Sequence, residues 1–182
     1  MNRPIFIRFA GPVSILAGIS VIVSAALGEL GVTLPGWYYV FSNLSVEVAL
    51  LGAYLYQQGE SRLVGLLGLL GAMTGDFLYY AQSELILAVG NSLYALGLVL
   101  LAAGFWTAQK FPRRIPVLWI LAPLVGMVGF SVKSLKAPLI LLSTIFYGLG
   151  FILIGVILWK LPGSRTLASP RREGRAGSDL AG

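Results

Sequence analysis

The chain has 182 residues, 57 % hydrophobic and 11 % charged, with a mean hydropathy of +0.86 and a formal net charge of +6. A soluble domain carries about a quarter charged residues, so this composition excludes an ordinary soluble globule and indicates a membrane protein. With no cysteine and no histidine, disulfides, thiolate and imidazole metal sites, Ser-His-Asp triads and zinc-protease motifs are excluded, and no metal or other cofactor is expected.

Residues 9–27, FAGPVSILAGISVIVSAAL, form a first apolar span behind Arg3 and Arg8. The basic start and Ser24-Ala25-Ala26 also fit a signal peptide with its cleavage site, but the length of the run and the spans that follow favour an uncleaved helix. The second span, 37–56, opens on the interfacial aromatics Trp37, Tyr38 and Tyr39 and then carries Ser42, Asn43, Ser45 and Glu47. Asn43 and Glu47 are four apart and share one helix face. The third span, 63–80, reads LVGLLGLLGAMTGDFLYY. Its glycines Gly65, Gly68, Gly71 and Gly75 recur at helical spacing, which lets a neighbouring backbone approach closely. Its carboxylate, Asp76, costs several kcal/mol if it faces lipid, so it is expected to point into the protein.

The fourth span, 85–107, sets Gly90, Gly97 and Gly104 seven apart and carries Asn91 and Ser92 near its start. A seven-residue stripe keeps one face smooth for shallow, left-handed helix packing. The fifth, 117–132, holds Trp119 and a kink-forming Pro123. The sixth, 138–159, carries Ser143, Thr144 and Tyr147, with Gly148 and Gly155 again seven apart. From 163 to 182 the chain turns small, polar and basic, which predicts a disordered cytoplasmic tail touching anionic lipid headgroups.

These spans predict an all-α fold: a polytopic membrane helical bundle of six transmembrane helices over residues 1–162, with the N- and C-termini cytoplasmic. On that topology, all of the thirteen basic residues except Lys133 and Lys136 fall on the cytoplasmic side, a strong positive-inside bias. The positive charge thus flanks spans rather than forming a nucleic-acid-binding face. The expected location is the cytoplasmic membrane of a bacterium or archaeon.

The same topology puts Asn43, Glu47, Asp76, Asn91, Ser92, Thr144 and Tyr147 at comparable depths in the outer half of the bundle. Such a layer suits a pocket that binds or transports a small polar, cationic or amphipathic ligand, with Asp76 and Glu47 as proton or cation sites. An alternative is a membrane-embedded lysophospholipid or ether-lipid hydrolase with Asp76 and Glu47 as its acid–base pair, since paired carboxylates do such work without histidine. A further alternative is a non-catalytic membrane subunit whose polar layer fixes its assembly. The partners are then the bilayer and a small-molecule or lipid ligand.

Residues 66–106 carry a family resemblance. The run LLGLLGAMTGDFLYY, a short turn, and VGNSLYALGLVLLAAGFW are similar to the paired helices of lysoplasmalogenase-like membrane proteins. Gly75-Asp76 matches the family's Gly-Asp, and Gly90 with Tyr94 its following helix motif. The resemblance implies hydrolysis of vinyl-ether lysophospholipids.

The topology has a direct readout. A cysteine placed at Ser83 is expected to react with an impermeant thiol reagent from outside intact cells, and one at Ser61 only after the membrane is opened. The reverse pattern overturns the orientation.

Overall fold

The computed structural model describes residues 3–58, 62–78 and 83–161, and the basic tail lies outside them. Among the described residues there are six α-helices and no strands: α1 (Arg3–Glu29), α2 (Gly36–Gln57), α3 (Arg62–Leu78), α4 (Glu84–Ala108), α5 (Arg114–Ser131) and α6 (Lys136–Trp159). The chain is an all-helical bundle. α1, α4, α5 and α6 are each long and apolar enough to cross a membrane. The outward faces of these helices are apolar too: only 28 % of the most apolar stretch of α4 is buried inside the protein. A surface of this kind is stable in lipid and not in water, and the protein is integral to a membrane. The described part of α3 is a slightly shorter apolar helix, and α2 dilutes its apolar residues with Ser42, Asn43, Ser45 and Glu47.

Turn chemistry sets the helix ends. At the end of α1, Gly31 takes φ +73°, a left-handed conformation that costs glycine nothing. The Gly31 amide then donates to the Gly28 carbonyl at 3.0 Å, and the Val32 amide to the Leu27 carbonyl at 2.9 Å. Together these bonds form a Schellman stop. α2 starts straight after Pro35, whose fixed φ of −65° suits the entry. A single 3-10 turn, Lys133–Leu135, separates α5 from α6.

Two antiparallel helix pairs dominate the packing, α3 with α4 and α1 with α6. Both are built on glycine. A Cβ added to Gly97 would lie 2.7 Å from the carbonyl carbon of Gly71 and 2.8 Å from Cα of Ala72. One added to Gly104 would lie 3.2 Å from Cα of Gly65. In the other pair, a Cβ on Gly11 would meet the Trp159 amide nitrogen at 2.7 Å, and one on Gly148 the Gly18 carbonyl oxygen at 2.7 Å. The seven-residue glycine spacings in α4 and α6 are therefore the contact lines themselves. Lipid tails are as apolar as leucine, so association in the bilayer depends on such close contact rather than on hydrophobic burial.

α2 joins α1 through polar groups. The Ser20 and Ser42 hydroxyls share a hydrogen bond of 2.9 Å, and the Tyr38 hydroxyl donates to the Ser20 carbonyl at 2.8 Å. α5 joins α6 through the Ser143 hydroxyl, which donates to the Ala122 carbonyl at 2.6 Å. Pro123 lies within α5. Buried Trp119 of α5 fills the space left by Gly150 of α6.

The glycine contacts predict a graded response. Gly68→Ala would place its methyl on the Leu101 backbone and 2.8 Å from the Gly97 carbonyl oxygen, neither of which can give way. Gly71→Ala meets its tightest neighbour at 3.2 Å. Thermal unfolding in detergent is expected to show Gly68→Ala destabilised by about 1–3 kcal/mol, Gly71→Ala by less, and the exposed Leu67→Ile hardly at all. Equal losses at Gly68 and Leu67 would mean that α3 and α4 do not pack on this face.

Candidate functional site

The site forms where the helices hold one another most loosely. α2 packs closely on α1 but only lightly on α3, α4 and α6, and its inward face carries Asn43 and Glu47. From across this gap α3 presents Asp76, one residue beyond the glycine line that holds α3 to α4. The Asp76 carboxyl lies beside the side chains of Asn43 and Glu47, near enough to interact with both. Neither oxygen of Glu47 receives an N–H or hydroxyl hydrogen, and both are shielded from solvent. Two carboxyls placed this way can hydrogen-bond to one another only when one of their oxygens carries a hydrogen.

Tyr94 of α4 completes the near wall, close enough to interact electrostatically with both Asp76 and Glu47. Its position follows from packing, because a Cβ on Gly75 would run into the Tyr94 backbone. Tyr147 of α6 meets the Tyr94 ring edge-on with centroids 5.7 Å apart. The Tyr147 hydroxyl is buried and has no hydrogen-bond partner, and so is the indole N–H of Trp119, whose ring lies 6.3 Å from that of Tyr147. From there the rings continue as a column. Tyr147 packs on Phe151 at 4.7 Å, Trp119 on Phe105 at 5.3 Å, Phe105 on Phe111 at 4.8 Å and Phe111 on Tyr56 at 5.1 Å. At the end of this column Lys110 closes the loop after α4 by donating to the Tyr56 carbonyl at 3.3 Å.

The residues expected from the sequence thus divide. Asn43, Glu47, Asp76 and Tyr147 belong to one cluster. Asn91 and Ser92 do not join it: both are exposed, and between Glu84 and Ser92 only Gly90 is buried. Here α3 covers only the Gly90 face of α4, through Gly75 and Leu78, so depth in the membrane does not bring Asn91 inward. The Ser92 hydroxyl bonds back to the Ala88 carbonyl at 2.9 Å, and the Thr144 hydroxyl to the Ile140 carbonyl at 2.9 Å, each within its own helix. Tyr94 and Trp119 were not among the expected site residues. Tyr94 had a usable signal, lying four residues past Gly90 on the same face. Trp119 had none, because nothing in α5 itself shows that Gly150 makes room for it.

A second polar group is buried near the Lys110 end of the bundle. Gln57 is 0 % exposed, and neither its amide nitrogen nor its oxygen has a partner. It lies against Gly65, where a Cβ would come within 2.8 Å of its amide nitrogen, and against Gly104 at 3.3 Å. No group of His, Cys, Asp and Glu among the described residues is suited to hold a metal ion.

A mutant cycle tests the carboxyl contact. Glu47→Leu and Asp76→Leu each leave one buried carboxyl without its partner, whereas the double variant leaves neither. The double variant is expected to be more stable than the sum of the singles predicts, by about 0.5–3 kcal/mol in detergent unfolding. Additive losses would show that the two groups do not interact. No family model, curated protein or solved structure matches this chain, so the chemistry of the cluster is the guide to what it does.

Proposed function

We propose that the protein binds or transports a small cationic or amphipathic ligand in exchange for a proton, with the Glu47–Asp76 pair as the shared proton or cation site. One observation carries this reading: two carboxyls from different helices meet inside the bundle with no basic side chain set against them. Lys and Arg are absent from 36–57, 63–78, 84–108 and 137–159, so no fixed positive charge from α2, α3, α4 or the body of α6 reaches this depth. Removing two carboxylates from water uncompensated costs several kcal/mol each, so the site holds mobile positive charge, a proton or a cation. The Tyr94 ring beside the carboxyls suits an organic cation by cation–π attraction. Asn43 holds Asp76 in orientation. The distribution of basic residues supports both termini on the cytoplasmic side.

A second reading is hydrolysis of an ether lysophospholipid, and it has one observation in its favour. The two positions that carry the family resemblance, Gly75-Asp76 and Gly90 with Tyr94, pack on one another, and Tyr94 interacts with Asp76. In this reading Asp76 is the general base and Glu47 its proton partner. It ranks second because the chain has no histidine to share the acid–base work.

Sealed proteoliposomes separate the two. With an imposed pH gradient, the full chain is expected to move ethidium, a planar organic cation, several-fold faster than protein-free vesicles do, and Glu47→Gln is expected to remove the dependence on the gradient. Ethidium movement at the protein-free rate, together with release of aldehyde from a vinyl-ether lysophospholipid in detergent, would replace the first reading with the second.

A further inference from the structure

At the basic end of the bundle, away from the carboxyl pair, a groove of about 300 Å³ opens between the start of α1 and the end of α6. Pro4, Ile5, Arg8, Phe9, Pro12 and Trp159 line it. Its floor is rigid, because Gly11 brings the α1 backbone against that of Trp159. Arg8 brings two polar groups to the groove. The Arg8 side chain is exposed, and no ion pair or ring contact engages it among the described residues. The Arg8 carbonyl has also lost its ordinary helical donor: that donor would be the amide of residue 12, and Pro12 has none. A carbonyl in that position needs a replacement donor where the helix enters lipid. A single residue therefore offers a cation from its side chain and an acceptor from its backbone, with exposed Ile5 and Phe9 beside it and exposed Trp159 across from it.

We propose that this groove binds one molecule of an anionic glycerophospholipid of the phosphatidylglycerol type. The phosphate pairs with the Arg8 guanidinium in a charge-assisted, two-pronged contact. A headgroup hydroxyl donates to the Arg8 carbonyl, and the acyl chains lie along Ile5 and Phe9. Trp159 sits at the headgroup level, where an amphipathic ring is most stable.

The second groove at this end, about 230 Å³, shows why the first is distinctive. It too has an arginine, a tryptophan and prolines, but its groups are already engaged. The Arg113 guanidinium lies over the Trp106 ring at 5.6 Å from the centroid. The Pro112 carbonyl, which Pro116 cannot serve, accepts the Ile115 amide at 3.0 Å.

Native mass spectrometry of the full chain in detergent, titrated with equal amounts of dioleoyl phosphatidylglycerol and dioleoyl phosphatidylcholine, tests the proposal. One phosphatidylglycerol is expected to be retained in preference. Arg8→Gln should weaken it by about tenfold or more, and Arg113→Gln should leave it unchanged. Pro12→Ala returns an amide to the Arg8 carbonyl, and it should narrow the preference for phosphatidylglycerol over phosphatidylmethanol, an anionic lipid without a headgroup donor. Free glycerol phosphate should not displace the lipid. Equal retention of both lipids, or undiminished binding by Arg8→Gln, overturns the proposal. Displacement by glycerol phosphate as effective as by the lipid also overturns it, by making this a site for a soluble phosphate.

Discussion

The fold depends on backbones being allowed to touch. In α3 and α4 the glycines interlock so closely that Gly97 rests on the backbone of Gly71 and Ala72, and α1 and α6 do the same through Gly11, Gly18, Gly148 and Gly155. In water a bundle can rely on expelling solvent from leucines. In a bilayer the lipid competes on equal terms for every apolar face, and what remains is dispersion at short range with good shape fit. Glycine shortens that range more than any other residue. Two tight pairs result, α1 with α6 and α3 with α4, and α2 and α5 are fitted between them.

That division explains the place of the polar cluster. α2 comes closest to α1, where Gly52 meets Ala10, and it meets α3 and α4 through the side chains of Tyr54 and Gln57 across a looser seam. Carboxyls can occupy such a seam because the backbones there stand far enough apart to leave room for side chains. Asp76 follows directly after Gly75, so the residue that locks α3 onto α4 also fixes where the carboxyl points. Around the two buried acids stand Asn43 and Tyr94, with the Tyr147 ring edge-on behind Tyr94.

The aromatic column gives the interior a second kind of order. Phe111, Phe105, Trp119, Phe151, Tyr147 and Tyr94 come from three helices and one loop, yet they run in sequence from the Lys110 end of the bundle up to the carboxyl pair. Rings tilted or edge-on at these distances add attraction beyond their buried area. They fill the bundle between its Lys110 end and the carboxyl pair with packed rings. Trp119 and Tyr147 have unpartnered polar atoms within that column, and Gln57 has two beside its base.

Much of this was legible in the residues alone. Helix number, the seven-residue glycine lines and the inward turn of Asp76 towards Asn43 and Glu47 follow from local rules: apolar length, helical period, and the cost of a bare charge in hydrocarbon. Each of these concerns one helix, or one helix against an unspecified neighbour. Other features depended on which neighbour was chosen and how far it reached. Asn91 has the right depth but lies off the Gly90 face that α3 covers, and its neighbour Ser92 bonds to its own backbone. Ser143 bonds across to α5 instead, because Gly126 of α5 lets it come close. Tyr94 and Trp119 reach the cluster through spaces opened by Gly75 and Gly150 on other helices. Period and hydropathy state which face of a helix is turned inward; only the packed bundle decides what that face meets, because the missing side chain that makes room belongs to a different part of the sequence.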